Sequence, residues 1–426
     1  MSISYSQLQK ILASDGQSGD IFGAAVSISM YGDVALVGAP NDVIGGVNTG
    51  SAYIYVYSDT TWVQHQKLIA GDGGANDSFG TAVALSSNGN TALIGANGDT
   101  INGNPFQGSA YVFVRSDTGA PWTFQAKLSD NSGNQNNGFG FAVALSADGN
   151  IAVVGSPFTG SNSTTVIFFE RNGASWSQQS KWPPQGNFLG FAVALSALGD
   201  VAMAGAPGNG NSGQVYVFTR SDSFWSDQTS FTSNDVTVND NFGKNVALSG
   251  DGKTVLVGAP QKNSNQGAAY AFIYSDGAWS QQYKFLPSDV IISDQFGASV
   301  ALGISPDGYD IALICASGGK KSYIFKHAKN GNVWTQTQVI TASDSALSGN
   351  FGDAVALTGN GLIGLIGASA FNVDQGSAYF FGAQFSVTPA SGINTTLISF
   401  FPDILISVIV LYGGIISMFL FNAFQE

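Results

Sequence analysis

Aspartates recur along this chain in pairs about five residues apart: Asp15 and Asp20, Asp72 and Asp77, Asp235 and Asp240, Asp289 and Asp294, with single members at Asp130 and Asp344. Carboxylates so placed can cap the backbone N–H groups of a loop, which is the ordinary use of Asp in turns. Gathered on one surface they would instead form a negative rim able to draw a cation or a basic partner. These ten are the candidate interaction-face residues of the chain.

Other chemistry-bearing residues are scarce. The only histidines, His65 and His327, lie far apart, and neither has a serine and an acid placed to make a Ser-His-Asp or multi-histidine metal constellation. The single cysteine, Cys315, sits in the apolar run Ile311-Ala312-Leu313-Ile314-Cys315-Ala316 and reads as a small buried hydrophobe rather than a nucleophile. With one cysteine no intramolecular disulfide can form, so packing must supply the stability. No glycine-rich loop follows a strand and opens a helix, which leaves nucleotide binding unsupported. No catalytic residue, cofactor site or metal site is assigned, and the chain reads as a non-enzyme. A cation-dependent hydrolase using the acidic rim is the remote alternative.

The 426 residues carry a net charge of −13, which repels phosphate backbones and argues against nucleic acid as a partner. Only 10% of residues are charged, while glycine numbers 55 and aromatics make up 12%. That mixture favours tight turns and β-strands over solvated helices.

What must position the aspartates is a repeat. Phe-Gly followed by an alternating apolar run starts at Phe22, Phe79, Phe139, Phe242, Phe296 and Phe351, with Leu189-Gly190 at the equivalent place in the fourth copy. The seven starts are separated by roughly 50 to 60 residues, room for four short strands and their turns. A Gly-Ala-Pro-like triplet follows in six copies, as in Gly38-Ala39-Pro40 and Gly258-Ala259-Pro260, and the sixth copy has Cys315-Ala316-Ser317 instead. Between the two signals lie two apolar runs joined by a short turn, the pattern of a hairpin. An aromatic alternation such as Ala52-Tyr53-Ile54-Tyr55-Val56 supplies a third strand. A fourth opens near Trp62, Trp122, Trp176, Trp225, Trp279 and Trp334.

The seventh copy lacks that last strand. Its replacement is at the N-terminus, where Gln7-Leu8-Gln9-Lys10-Ile11 matches Gln64-His65-Gln66-Lys67-Leu68. The fold class expected is all-β: a seven-bladed β-propeller over 1–385, four strands to a blade, with the N-terminal strand completing the last blade. Both histidines then fall in or beside outer strands of different blades.

These motifs resemble the FG-GAP repeat family, which includes the head of integrin α subunits, over about residues 5–385. Integrin-like members carry calcium loops of the type D-x-D/N-x-D-G-x-x-D between the first two strands. The corresponding turns here, such as Ser87-Asn88-Gly89-Asn90 and Ala147-Asp148-Gly149-Asn150, are short and hold at most two acids each. Calcium needs about six oxygens, so these read as hairpin turns and integrin-type calcium is not expected in them.

After a linker at 386–403, residues 404–421 form an uncharged apolar run, ILISVIVLYGGIISMFLF, followed by a short tail at 422–426. Its length, about 18 residues, meets the threshold for one transmembrane helix. The N-terminus shows neither a basic nor an apolar region of a signal peptide. Long loops fall between the second and third strands (41–50, 97–108, 261–267) and between blades (72–78, 129–138, 233–241), and both sets should share one face, directed away from the membrane. Long loops on a rigid scaffold carry function. The expected role is therefore a membrane-anchored propeller, at a cell surface or in a virion membrane, presenting that face to a protein or glycan ligand. Membership of a large assembly with other chains is the alternative. Triplets at Asn76, Asn162 and Asn394 would accept N-glycosylation on an exposed surface.

Overall fold

The computed structural model describes residues 2–117, 119–158, 164–182, 188–208, 212–328, 333–344, 349–386, 395–400, 405–412 and 415–422. Seven antiparallel blades stand around a ring, each meandering from the centre outward, six of them four-stranded sheets and the seventh part of a seven-stranded sheet that also takes in the C-terminal strands. Blade 1 is typical, with Ala25–Ile28 innermost, then Val34–Ala39, Ser51–Ser58 and, outermost, Thr61–Leu68. The second strand is buried throughout because it is packed on both sides by neighbouring blades, and it is accordingly a continuous Val/Leu/Ile/Ala run.

Closure follows the expected route. Ser2–Ile11 pairs antiparallel with Ser377–Ser386, Ile3 opposite Phe385 and Ile11 opposite Ala378, and forms the outer strand of blade 7. The backbone joint from blade 7 to blade 1 repeats the other joints: Phe22 bridges Gly376 as Phe79 bridges Gly50 and Phe242 bridges Gly213.

The two sequence signals meet at these joints. The first glycine of the Gly-Ala-Pro-like triplet abuts the Phe-Gly glycine of the next blade so closely that a Cβ on Gly95 would lie 1.9 Å from the Gly140 carbonyl oxygen. Gly140 itself has a φ of +91°, which side chains rarely adopt. Each Phe-Gly phenylalanine is buried beneath an aromatic of its own third strand, Phe22 on Tyr53 at 5.4 Å and Phe79 on Tyr111 at 5.3 Å, both edge-on.

On one face the short turns are linked blade to blade by backbone hydrogen bonds of 2.9 Å from Met30 to Ser87, Ser87 to Ala147, Ala147 to Ala197 and Ala197 to Gly250. On the other face the second-to-third-strand loops are hydrogen-bonded to the blade-to-blade loops. Asn76 N–H donates to the Asn48 carbonyl at 2.6 Å, Asn136 to Pro105 at 2.9 Å and Gln295 to Asn265 at 2.8 Å. The two long-loop sets thus share a face.

The apolar C-terminal run departs from the helix expected over 404–421. Leu405–Tyr412 and Ile415–Asn422 are antiparallel strands, Leu405 opposite Asn422 and Tyr412 opposite Ile415, reached from the last blade through Thr395–Phe400. The run is rich in β-branched residues (Ile406, Val408, Ile409, Val410, Ile415, Ile416), and Gly413-Gly414 divides it. β-Branching and paired glycines both weaken a helix, and β-branching suits strands. Among the described residues no helix is long and apolar enough to cross a membrane.

Candidate functional site

Among the described residues, the loops entering blades 1, 2, 3, 5, 6 and 7 are each fastened to the blade they enter. Asp15, in the loop entering blade 1, takes Lys67 Nζ at 2.6 Å and lies 2.9 Å from the Tyr53 hydroxyl. The same lysine reaches Asp42 at 2.7 Å, and the Tyr53 hydroxyl is also 2.7 Å from Asp42. Blade 2 repeats the arrangement with Asp72, Lys127, Tyr111 and Asp99: Lys127 stands 2.6 Å from Asp72 and 2.7 Å from Asp99. Asp130 pairs with Lys181 at 2.6 Å, Asp344 with Lys10 at 2.6 Å and with Tyr379 at 2.8 Å, and Asp289 with Lys321 at 3.0 Å. Asp235 pairs with Lys284 and takes the Tyr270 hydroxyl at 2.8 Å.

The second aspartate of each pair does different work. Asp20, Asp77, Asp240 and Asp294 are buried and accept backbone N–H bonds from Gln17 at 2.6 Å, Gly74 at 2.5 Å, Thr237 at 2.6 Å and Ile291 at 2.9 Å. Each closes its own loop three residues upstream. In blade 5 a lysine, Lys262, occupies the place of Asp42 and Asp99, and it holds Asp240 at 3.0 Å.

The electrostatics follow this division. Burial works to raise the pKa of Asp15, but hydrogen bonds from Lys67 and Tyr53 outweigh it and hold the carboxyl below the usual range. Asp72, Asp289 and Asp344 behave alike, and in Asp235 the bonds from Lys284, Tyr270 and Ser233 overcome burial to bring it to about 2. Asp20 and Asp77 are raised, chiefly by burial. The latch lysines and tyrosines escaped the sequence reading. Their signal was the lysine of the outer strand, which follows Gln-x-Gln at Lys10 and Lys67, and the tyrosine near the start of the third.

In the short turns, acids and amides are engaged by the hairpins themselves: Ser86 Oγ donates to Asn88 at 2.7 Å, and Ser249 and Ser196 Oγ to Asp251 and Asp200 at 2.5 Å. Among the described residues no cluster of three or more His, Cys, Asp or Glu side chains could hold a metal. His327 Nδ1 lies 3.1 Å from Asp310, and its ring stacks on Trp334. His65 is on an outer strand. Cys315 is fully buried, which pushes its thiol up to about 12. Asn76 is exposed with φ +66°, while Asn162 and Asn394 lie outside the described residues.

What the long-loop face shows to solvent is apolar as well as polar. Val43, Phe106, Val238, Ile291, Ile292 and Val373 are all exposed on it, Ile291 at 67% and Val373 at 76%.

The repeat signature and this ring geometry coincide with a known family. FG-GAP repeats match residues 5–55, 62–113, 122–166, 225–272 and 334–381, together more than half of the chain. The chain belongs to the FG-GAP repeat family. The five matches fall on blades 1, 2, 3, 5 and 7 and the strands that lead into them. No curated protein matches the sequence. Among solved structures, the FG-GAP ring is similar to a candidate 6-phosphogluconolactonase from Bacteroides fragilis, with 14% identity, a TM-score of 0.53 and coverage of 75% of this chain and 84% of that one. A second candidate 6-phosphogluconolactonase, from Bacteroides uniformis, gives 14% identity, a TM-score of 0.52 and coverage of 75% and 85%. At that identity the likeness is one of propeller fold alone.

Proposed function

We propose that the chain is a non-enzymatic recognition propeller that presents its long-loop face to a protein or glycan, with its apolar C-terminal segment as the attachment to a membrane. The observation that carries the reading is the set of exposed apolar tips, Val43, Phe106, Val238, Ile291, Ile292 and Val373, on loops hydrogen-bonded into a rigid rim. Rigid presentation lowers the entropy lost on binding. His327 and the cysteine are spent on packing, which supports a binding role over catalysis.

The test has two arms. Glycan and peptide panels probed with wild type and with the triple variant Ile291→Ser, Ile292→Ser, Val373→Ser should show ligands that the variant loses while its melting curve is unchanged. Panels that stay silent, or that read equally for both proteins, would remove the recognition role. In flotation with phosphatidylcholine vesicles, the full chain should rise with lipid and a chain ending at 386 should not. Equal behaviour of the two would remove the membrane role.

A second reading, attachment within a large assembly such as a virion or coat, is favoured by the extended backbone at Leu405–Tyr412 and Ile415–Asn422. Strands that leave an open edge recruit further strands from neighbours. Under that reading the full chain self-associates in detergent and stays at the bottom of the flotation gradient.

A further inference from the structure

The residue after each Phe-Gly lies at or beside the start of the innermost strand, at its long-loop end. Around the ring these are Ala24, Thr81, Phe141, Phe191, Lys244, Ala298 and Asp353, of which Ala24, Thr81, Phe141, Phe191 and Asp353 line the central cavity and Lys244 reaches it over the Phe191 ring. The channel behind them is a cavity of about 270 Å³ walled by first-strand residues such as Val83, Val143, Val193 and Val300. Its mouth is asymmetric. On blades 3 to 5 runs a continuous row: Phe158 meets Phe141 at 4.9 Å between centroids, Phe141 meets Phe191 at 4.8 Å, and Lys244 Nζ lies 5.0 Å from the Phe191 centroid.

Resting on the recognition reading of this face, we propose that the channel mouth binds a carboxylate carried on an apolar or aromatic group, with Lys244 meeting the anion and Phe141 and Phe191 the apolar body.

Lysine chemistry elsewhere in the ring supplies the contrast. Lys10, Lys67, Lys127, Lys181, Lys262 and Lys284 each have an aspartate within ion-pair distance. Lys244 has no ion pair among the described residues, and burial alone pulls its amine below the usual lysine range. A partly desolvated cation without a counter-ion is costly, and an anion arriving from solvent removes that cost. The acids at hand are committed: Asp240 to Lys262, and Asp353 to Ser369, its carboxyl raised by burial. The apolar half follows from the phenylalanine row, which gains on being covered in proportion to its area. The net charge of −13 disfavours a polyanion, which leaves a ligand with one acidic group.

The full chain would be titrated calorimetrically with phenylacetate, acetate and the neutral phenethyl alcohol. Phenylacetate should bind about tenfold tighter than either. Lys244→Met should abolish the preference of acid over alcohol, Phe191→Ala should abolish that of phenylacetate over acetate, and Lys244→Arg, as the folded control, should retain binding. Silence in wild type, or equal affinities in wild type and Lys244→Met, overturns the proposal. Phenylacetate binding should survive in the Ile291→Ser, Ile292→Ser, Val373→Ser variant. A chain that binds phenylacetate through Lys244 while failing every glycan and peptide panel therefore refutes the broader recognition reading and leaves this one standing.

Discussion

A single lysine on two carboxylates is the unit from which the long-loop rim is built, and its two bonds are unequal. In blade 2, Asp72 is 57% exposed at its side chain and Asp99 only 6%, although both stand at ion-pair distance from Lys127. Solvent screens the first pair, so Asp72→Asn should cost less than about 1 kcal/mol. Asp99→Asn removes the buried carboxylate facing a half-buried lysine and should cost about 2 to 3 kcal/mol in urea unfolding; equal losses would show that burial does not set the strength of the latch. Acid titrates the same groups. The folded pKa values of Asp15, Asp72, Asp235, Asp289 and Asp344 are depressed, so their stabilisation is complete above about pH 5 and drains away as pH falls through those values. Asp20 and Asp77 act in the opposite sense: their folded values are raised, so what they contribute is present below about pH 4 and lost as pH rises. Five latches against two caps predict a urea midpoint that falls between about pH 4 and pH 2. The fall should be shallower in Lys284→Met, and an unaltered slope there would dissociate Asp235 from acid unfolding. The aspartates were legible in the sequence because they recur. Their partners were not, because most pairs join a loop to strands about 30 to 60 residues further on, and Asp344 pairs with Lys10 across almost the whole chain, distances over which spacing carries no register.

Among the elements, strands and blade boundaries could be read because Phe-Gly and Gly-Ala-Pro mark both ends of a hairpin whose apolar runs must be buried. The tail could not. An apolar run of Ile, Val, Leu and Phe has no polar face, so neither the period of a helix nor that of a strand appears in it. The outer strands are held together by a device that composition hides. The Gln9 amide donates to the Trp62 carbonyl and accepts from the Trp62 N–H, both at 2.8 Å, and Gln66 does the same for Trp122 at 3.0 and 2.8 Å. A side chain thereby stands in for a neighbouring strand where the blades splay apart. Gln338 makes the equivalent pair with Tyr5 at 2.6 Å, so Tyr5 takes the place of the tryptophan missing from the last blade. Ser2–Ile11 is therefore tied to three blades: paired within the seventh, bridged by Gln338 from the sixth and by its own Gln9 to the first. Removing residues 1–16 should lower the melting temperature of the whole disc by 10 °C or more, on the order of several kcal/mol spread over a large domain. A melting curve that matches full length would mean that the strand is ornament.

For the molecule as a whole, the order in which the parts are made differs from the order in which they meet. Ile11 leaves the ribosome long before Ala378, its partner across the sheet. At roughly 5 to 20 residues per second the first strand waits about 20 to 75 s for the last hairpin. Through that interval Tyr5 and Ile11, both buried at the end, have no fold to enter, and blade 1 has one flank uncovered. Nascent chains of this protein thus carry apolar strands with no partner until the last hairpin emerges, so their exposure to aggregation is set by the time of closure and not by the stability of the finished disc.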